Sequence, residues 1–213
     1  MDGNRRYARE LGIPEFEGHN KGLAKLTDVA TWAFEAGVKE LTVYAFSTEN
    51  WKRSDTEVKF LLSLFERAMG ETLEKLHQEA VRIRFVGDFS KLPPPLVVRM
   101  QSVEERSSAH TEKTLVIAFS YGGRSEIVAA ANALQGRGHI TEEMFAQALW
   151  TAGLSDPDVI IRTGGDYRLS NFLPWQSVYS ELFFTDTKWP ALTKKELLQI
   201  FETYATRERR HGG

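Results

Sequence analysis

Arg162 and Arg168 stand six residues apart in "RTGGDYRLSNFL", with Gly164 and Gly165 between them and Ser170 and Asn171 just after. Two planar guanidinium forks, a hydroxyl and a glycine-softened turn suit a diphosphate better than a single carboxylate. Ser170 and Asn171 read as the start of a helix carrying "FLPWQSVY", whose free N–H groups would also attract anions. The plain alternative is two surface arginines paired with Asp158 or Asp166 beside an ordinary cap. A second anion site is offered by "MDGNRRYA", where Asp2, Gly3 and Asn4 precede Arg5 and Arg6 at what reads as a helix start. A flexible charged chain end is the alternative there. A third cluster, "YAFSTENWKRS", crowds Ser47, Glu49, Asn50, Trp51 and Arg53 behind an apolar run. Taken alone, Trp51 reads as a packing residue, Glu49 and Arg53 as a surface pair, and His19 in "EGHNKG" as a surface or capping histidine.

The elements that must position these residues alternate. Runs at 40–47, 81–88, 114–123, 158–165 and, more weakly, 181–186 are rich in branched and aromatic residues and read as buried strands. Helical patterns lie between them, at 22–37, 55–80, 93–109, 124–135, 141–153 and 193–208. The alternation predicts an α/β fold, a single domain over 1–213 with a mostly parallel central sheet flanked by helices. Ligands bind beyond the carboxyl ends of the strands in such sheets. Three of those ends read "YAFSTENW", "FSYGGR" and "RTGGDYRLSN", all polar.

Composition narrows the function. A net charge of −2 gives no general pull toward nucleic acid or an anionic membrane, so an anion site must be local. The lack of cysteine excludes disulfides and thiolate-ligated zinc. No run approaches the roughly 20 apolar residues of a spanning helix, and the opening residues do not read as a signal peptide. The expectation is a cytoplasmic protein, peripheral to a membrane at most. A Walker-type loop, a G-x-G-x-x-G turn, G-x-S-x-G and HExxH are all missing, which weakens nucleotide-loop, hydrolase and zincin readings.

Together, "MDGNRRYA", "EGHNKG", "YAFSTENWKRS", "YGGR", "RTGGDYRLSNFLPWQ", "SELFFTDTKWP" and "RERRHGG" follow one another in the order and spacing of the cis-prenyltransferases. The chain resembles that family, and its undecaprenyl diphosphate synthase-like members, along its whole length. The resemblance implies a magnesium-dependent condensation of isopentenyl diphosphate with an allylic diphosphate, giving a cis-polyprenyl diphosphate. It implies a homodimer, with peripheral membrane contact through the product. The paired DDxxD motif of the helical trans-prenyltransferases is missing.

Carried onto this sequence, the resemblance makes Asp2 the essential carboxylate, binding magnesium and assisting ionisation. Gly3, Asn4, Arg5 and Arg6 would cradle the allylic diphosphate, with Tyr7 and His19 beside it. Ser47, Thr48 and Glu49 would line the site, Asn50 would accept or relay the proton, and Trp51 and Arg53 would hold substrate. Arg162, Arg168, Leu169 and Ser170 would bind isopentenyl diphosphate. Glu181 would be the second metal-linked carboxylate, supplied across the dimer, and the long apolar helix at 55–80 would wall the hydrocarbon.

Three departures stand out. The family places an apolar strand before Asp-Gly-Asn, and here the chain opens at Met1, so an N-terminal strand is expected to be missing. Many relatives carry an arginine where this chain has Glu15, which would cost the allylic diphosphate a cation. Little follows "RERRHGG", the segment expected to reach a partner's site. Two rival readings stand beside the enzyme: a non-catalytic partner subunit, and a generic α/β phosphate-binding enzyme.

Overall fold

The computed structural model describes residues 1–207. It holds α1 (Asn4–Glu10), α2 (Glu15–Glu35), β1 (Glu40–Ser47), α3 (Asp55–Gln78), β2 (Arg82–Val86), α4 (Pro94–Ser107) and β3 (Thr114–Tyr121). There follow α5 (Gly123–Ala133), α6 (Glu142–Ala148), β4 (Val159–Arg162), β5 (Glu181–Phe184) and α7 (Lys194–Thr206). Every strand pairing is parallel, and helices flank the strands, as the alternation predicts. The strands fall into two sheets, β1-β3-β2 and β4-β5.

β3 is the middle strand of the larger sheet, and from Leu115 to Tyr121 it is buried throughout. A continuous apolar run is what a strand covered on both faces requires. Leu115, Ile117 and Phe119 point into the main core, against Phe34 of α2, Phe65 and Leu73 of α3 and Met100 of α4. Val116 and Ala118 point to the opposite side with Leu173. Tyr121 breaks the two-residue alternation and joins this second cluster, because Ser120 takes a φ of 51° and the strand turns there. The chain thus bends at the carboxyl end of β3, where the candidate site begins.

Several expectations change. α2 starts at Glu15, directly after Pro14, and not at residue 22. Its glycines are points of close approach rather than a helix boundary: a Cβ on Gly18 would lie 2.2 Å from the Asn4 carbonyl oxygen, and one on Gly22 2.4 Å from Asn4 Oδ1. The apolar face of α3 packs largely into the core, with Phe65, Met69, Leu73 and Leu76 buried, while Leu61 lines the large cleft described below. The helix expected to begin at Ser170 is a series of turns. Pro174 disfavours the helical region at Leu173, and Ser170, Asn171 and Leu173 all have positive φ. The anion site therefore has no helix N-terminus in that segment.

β1 is paired on one side by β3 and β4 by β5, and residues of both β1 and β4 line one cleft of about 1790 Å³. Of "RERRHGG", only Arg207 lies within the described residues. No helix among the described residues is long and apolar enough to cross a membrane.

Candidate active site

The carboxyl end of β4 and the start of the chain are laced together. Asp2 N–H donates to Thr163 Oγ1 (3.0 Å), and that hydroxyl donates back to the Asp2 carbonyl (2.9 Å). The same carbonyl accepts from Trp189 N–H (2.9 Å). With its backbone fixed at three points, the Asp2 carboxylate accepts from Gly3 N–H (2.7 Å) and Arg162 Nη2 (2.9 Å). Burial alone would raise the Asp2 pKa. The hydrogen bonds from Arg162 and Gly3 and the Arg162 charge outweigh it, so the carboxyl sits below its ordinary value and is ionised at neutral pH.

Arg162 is the hub. Its side chain is only 14% exposed, and besides Asp2 it donates to Ser170 Oγ (2.7 Å) and to the Arg168 carbonyl. Asp166, which the sequence offers only as a surface partner, is the centre of a second knot. It meets Arg6 (2.9 Å), Arg168 (2.9 Å) and, more loosely, Arg162 (3.6 Å). Three arginines from two distant segments thus converge on one carboxylate, a geometry suited to a polyanion.

A neighbouring group of charges comes from α1, α2 and α3. Arg5 and Arg9, one turn apart on α1, both grip Glu15, at 2.5 and 2.7 Å. Glu57 holds Arg53 (2.9 Å) and approaches Arg5 (3.8 Å). His19 lies among them. Burial, then the Arg53 and Arg5 charges, lower its pKa, so its imidazole is neutral at neutral pH and adds hydrogen-bonding capacity rather than charge.

The turn after β1 is a 3-10 segment, Thr48–Lys52, closed by a capping box. Asn50 Oδ1 accepts from Ser47 N–H (3.0 Å), and the Ser47 side chain accepts from the Asn50 backbone. Trp51 turns inward, donating to Ser120 Oγ (2.9 Å) and packing edge-on against Phe46. Glu49 accepts from Asn171 Nδ2 (2.9 Å). Burial works against its ionisation, but that bond and others from the Glu49 backbone, Ser47 and Thr48 hold its pKa below the ordinary value.

The expected residues are therefore sorted. Asp2, Gly3, Arg5, Arg6, His19, Ser47, Glu49, Asn50, Arg53, Arg162, Arg168, Leu169 and Ser170 line the cleft. Asn4 also borders it; its side chain lies against Gly22, and its buried Oδ1 has no hydrogen-bond partner among the described residues. Tyr7, Thr48 and Trp51 do not line the cleft. Glu181 lies elsewhere: it opens β5 opposite Val159, four residues back from Thr163, or about 13 Å along the strand. It is paired with Arg207. Asp166, Thr163 and Asn171 are the additions. Asp166 left a trace in the sequence as a carboxylate spaced between two arginines, and Asn171 as a cap residue; Thr163 left none.

No group of three or more His, Cys, Asp or Glu able to hold a metal occurs among the described residues. Asp2 is nevertheless an ionised carboxylate with a side chain 41% exposed toward the arginine cluster. That suits magnesium, which takes one or two carboxylates together with phosphate oxygens and water.

Glu15 gives the first prediction. It sits in the first turn of α2, where the helix dipole favours a carboxylate, and it occupies Arg5. Glu15→Gln releases Arg5, and the KM for an allylic diphosphate falls about threefold while that for isopentenyl diphosphate holds, since one exposed charge pair is worth well under 1 kcal/mol of stability. Steady-state kinetics with each substrate varied in turn checks this; an unchanged allylic KM refutes it.

The comparisons with known proteins match the whole chain. A family model described as putative undecaprenyl diphosphate synthase matches residues 1–212. An isoprenyl transferase of Thermotoga maritima is 46% identical over 219 residues, covering 100% of this chain and 94% of its own. A tritrans,polycis-undecaprenyl-diphosphate synthase (geranylgeranyl-diphosphate specific) of Picrophilus torridus is 45% identical, with 99% and 87% covered. Lavandulyl diphosphate synthase from Lavandula x intermedia, solved with dimethylallyl diphosphate, superposes with a TM-score of 0.94 at 32% identity, covering 100% of this chain and 95% of its own. On the match of the whole chain and of the fold, this protein is a prenyl-transferring enzyme and belongs to the undecaprenyl diphosphate synthase family of cis-prenyltransferases.

Proposed function

We propose that the two charged groups divide the two diphosphates of the condensation between them. Arg5, Arg53 and His19 take the allylic diphosphate, with Arg6 reaching it from the Asp166 knot. Arg162, Arg168 and Ser170 take isopentenyl diphosphate, with the Leu169 backbone between them. The observation that carries the reading is Arg162 touching both Asp2 and Ser170, which sets the carboxylate of one group beside the hydroxyl of the other. The carboxylates Glu15, Glu57 and Asp166 hold these arginines in place. Arriving phosphate oxygens exchange with them, so little ordering is needed on binding.

The reaction breaks the C–O bond of the allylic diphosphate and releases the diphosphate. The isopentenyl double bond forms the new C–C bond, and a proton then leaves the isopentenyl unit. The arginines stabilise the departing diphosphate where its charge grows. Magnesium, bound by Asp2 together with phosphate oxygens, would supply further positive charge to that leaving group. Asn50 is no base by itself, and one acceptor site of its Oδ1 is engaged by Ser47. We assign it to orienting the proton toward a phosphate oxygen or water. Asp2 and its arginine partners are all in place, which argues against a non-catalytic partner subunit.

Incubation with radiolabelled isopentenyl diphosphate, magnesium and allylic primers of several lengths tests this. Chain-extended polyprenyl product is expected, and its absence with every primer overturns the reading.

Glu181 enters only if a second copy packs nearby. Val178 and Tyr179 are 71% and 76% exposed, Leu182 is exposed on β5 itself, and β5 has one strand partner among the described residues. We propose a homodimer through this face, since an apolar patch beside an open strand edge is seldom left to solvent. Sedimentation of the wild type and of Val178→Asp is expected to give dimer and monomer respectively; a monomeric wild type refutes it.

A further inference from the structure

Three residues without the freedom of glycine take left-handed backbone conformations within four positions: Ser170 (φ 49°), Asn171 (68°) and Leu173 (48°). Each such residue costs on the order of 1 kcal/mol or more and persists only where its surroundings hold it. Asn171 is the best suited of the three, because its short amide tolerates this region and bonds locally. Here it bonds to other segments. Its carbonyl accepts from Gly123 N–H (2.8 Å) and its Oδ1 from Arg124 N–H (2.8 Å), the first amides of α5. Its Nδ2 donates to Glu49 in the turn after β1 (2.9 Å).

The three segments fit because the pair after β3 is Gly122-Gly123. A Cβ on Gly122 would lie 2.3 Å from Thr48 Oγ1 and 2.9 Å from Asn171 Nδ2, and one on Gly123 would lie 2.0 Å from Pro174 Cδ. Thr48, Asn171 and Pro174 thus close over the glycine pair like three sides of a frame.

We propose that Asn171 is a positioning residue that fixes the diphosphate-gripping turn Arg168–Ser170 to the Thr48–Lys52 turn through Glu49, so that the two substrate groups keep one relative position. This rests on the assignment of isopentenyl diphosphate to Arg162, Arg168 and Ser170. Through this link Ser170 and Asn50 are set by the same hydrogen bond, although 120 residues separate them. Glu49 touches Asn171 rather than the reacting atoms, and its role is to receive that bond.

The bond can be reversed. Asn171→Asp keeps the acceptor for Arg124 but sets a carboxylate against Glu49. Glu49→Gln then supplies an amide that donates to the new carboxylate. Isopentenyl diphosphate binding is measured by calorimetry, and kcat and KM by steady-state assay, for the wild type, each single variant, the double variant and Asn171→Gly. Asn171→Asp is expected to weaken isopentenyl diphosphate binding about tenfold in the wild-type background and less than twofold beside Glu49→Gln. Asn171→Gly, which relieves the backbone but removes the side chain, is expected to raise the KM for isopentenyl diphosphate several-fold with a smaller change in kcat. Equal losses from Asn171→Asp in both backgrounds, or wild-type binding by Asn171→Gly, would overturn the link. A wild type that binds no isopentenyl diphosphate would instead sink the underlying site assignment.

Discussion

Asp2→Asn is expected to lower kcat/KM on the order of 10³-fold while the chain stays folded. The substitution keeps shape: an amide oxygen still accepts from Gly3 N–H, and the backbone bonds to Thr163 and Trp189 are untouched. It removes only the negative charge. Arg162 then lies beside a neutral amide, little exposed and short of its strongest partner. A metal seeking a carboxylate finds none. The sign of the pH dependence follows from the lowered pKa. The unfolded carboxyl ionises near 3.8 and the folded one below it, so Asp2 contributes its full share of stability above the unfolded value. That share is lost only as pH falls through the lower folded value. Across neutral pH the charge is constant, so the wild-type profile there belongs to other groups, and Asp2→Asn stays inactive at every pH from about 5 to 9. Activity in the variant within tenfold of wild type, at any of these pH values, removes Asp2 from the chemistry.

Much of this site could be read from the chain because glycine and arginine are local signals. "RTGGDYR" places Arg162 at a strand end and Arg168 on the following turn by composition alone, and the structure keeps both beside the cleft. What could not be read depends on long-range contact. Asp166 looks like any surface acid until Arg6, 160 residues away, reaches it. The helical pattern puts the start of α2 at residue 22, because it cannot reveal that Asn4 lies against Gly18 and Gly22 within the helix. The apolar spacing of α3 suits a core face and a hydrocarbon wall equally, and one helix can be both: its Phe65 packs against Phe85 and Phe119 of the sheet, while its Leu61 lines the cleft. Ser170 and Asn171 have the chemistry of a helix cap, but Pro174 and the glycine pair beneath them force turns. The place of Glu181 was illegible for another reason. Motif order says nothing about strand register, and parallel pairing with Val159 sets it at the far end of β5 from Asp2 of the same chain, which leaves only a role across a dimer.

Among changes that preserve charge, Arg162→Lys has the largest expected effect. Arg162 meets Asp2, Ser170 and the Arg168 carbonyl at once, and stands 3.6 Å from Asp166. A guanidinium does this with two Nη groups held in one plane; an ammonium is a single point at the end of a flexible stem. Lysine preserves the charge and cannot bridge the acceptors. The Asp2 carboxylate and the Ser170 hydroxyl then lose their common donor, and with it the spacing between the two substrates. A misplacement of about 1 Å between reacting groups can cost on the order of 100-fold, which is the loss expected in kcat/KM for both substrates. Arg168→Lys supplies the contrast. Arg168 is 63% exposed, with Asp166 as its ion-pair partner, so an ammonium there still meets a phosphate, and about a fivefold rise in the isopentenyl diphosphate KM is expected with kcat nearly unchanged. Charge is the same in both variants, so the gap between them measures geometry. Equal losses at the two positions would mean that Arg162 acts as a charge alone, and the bridge between Asp2 and Ser170 would have no catalytic meaning.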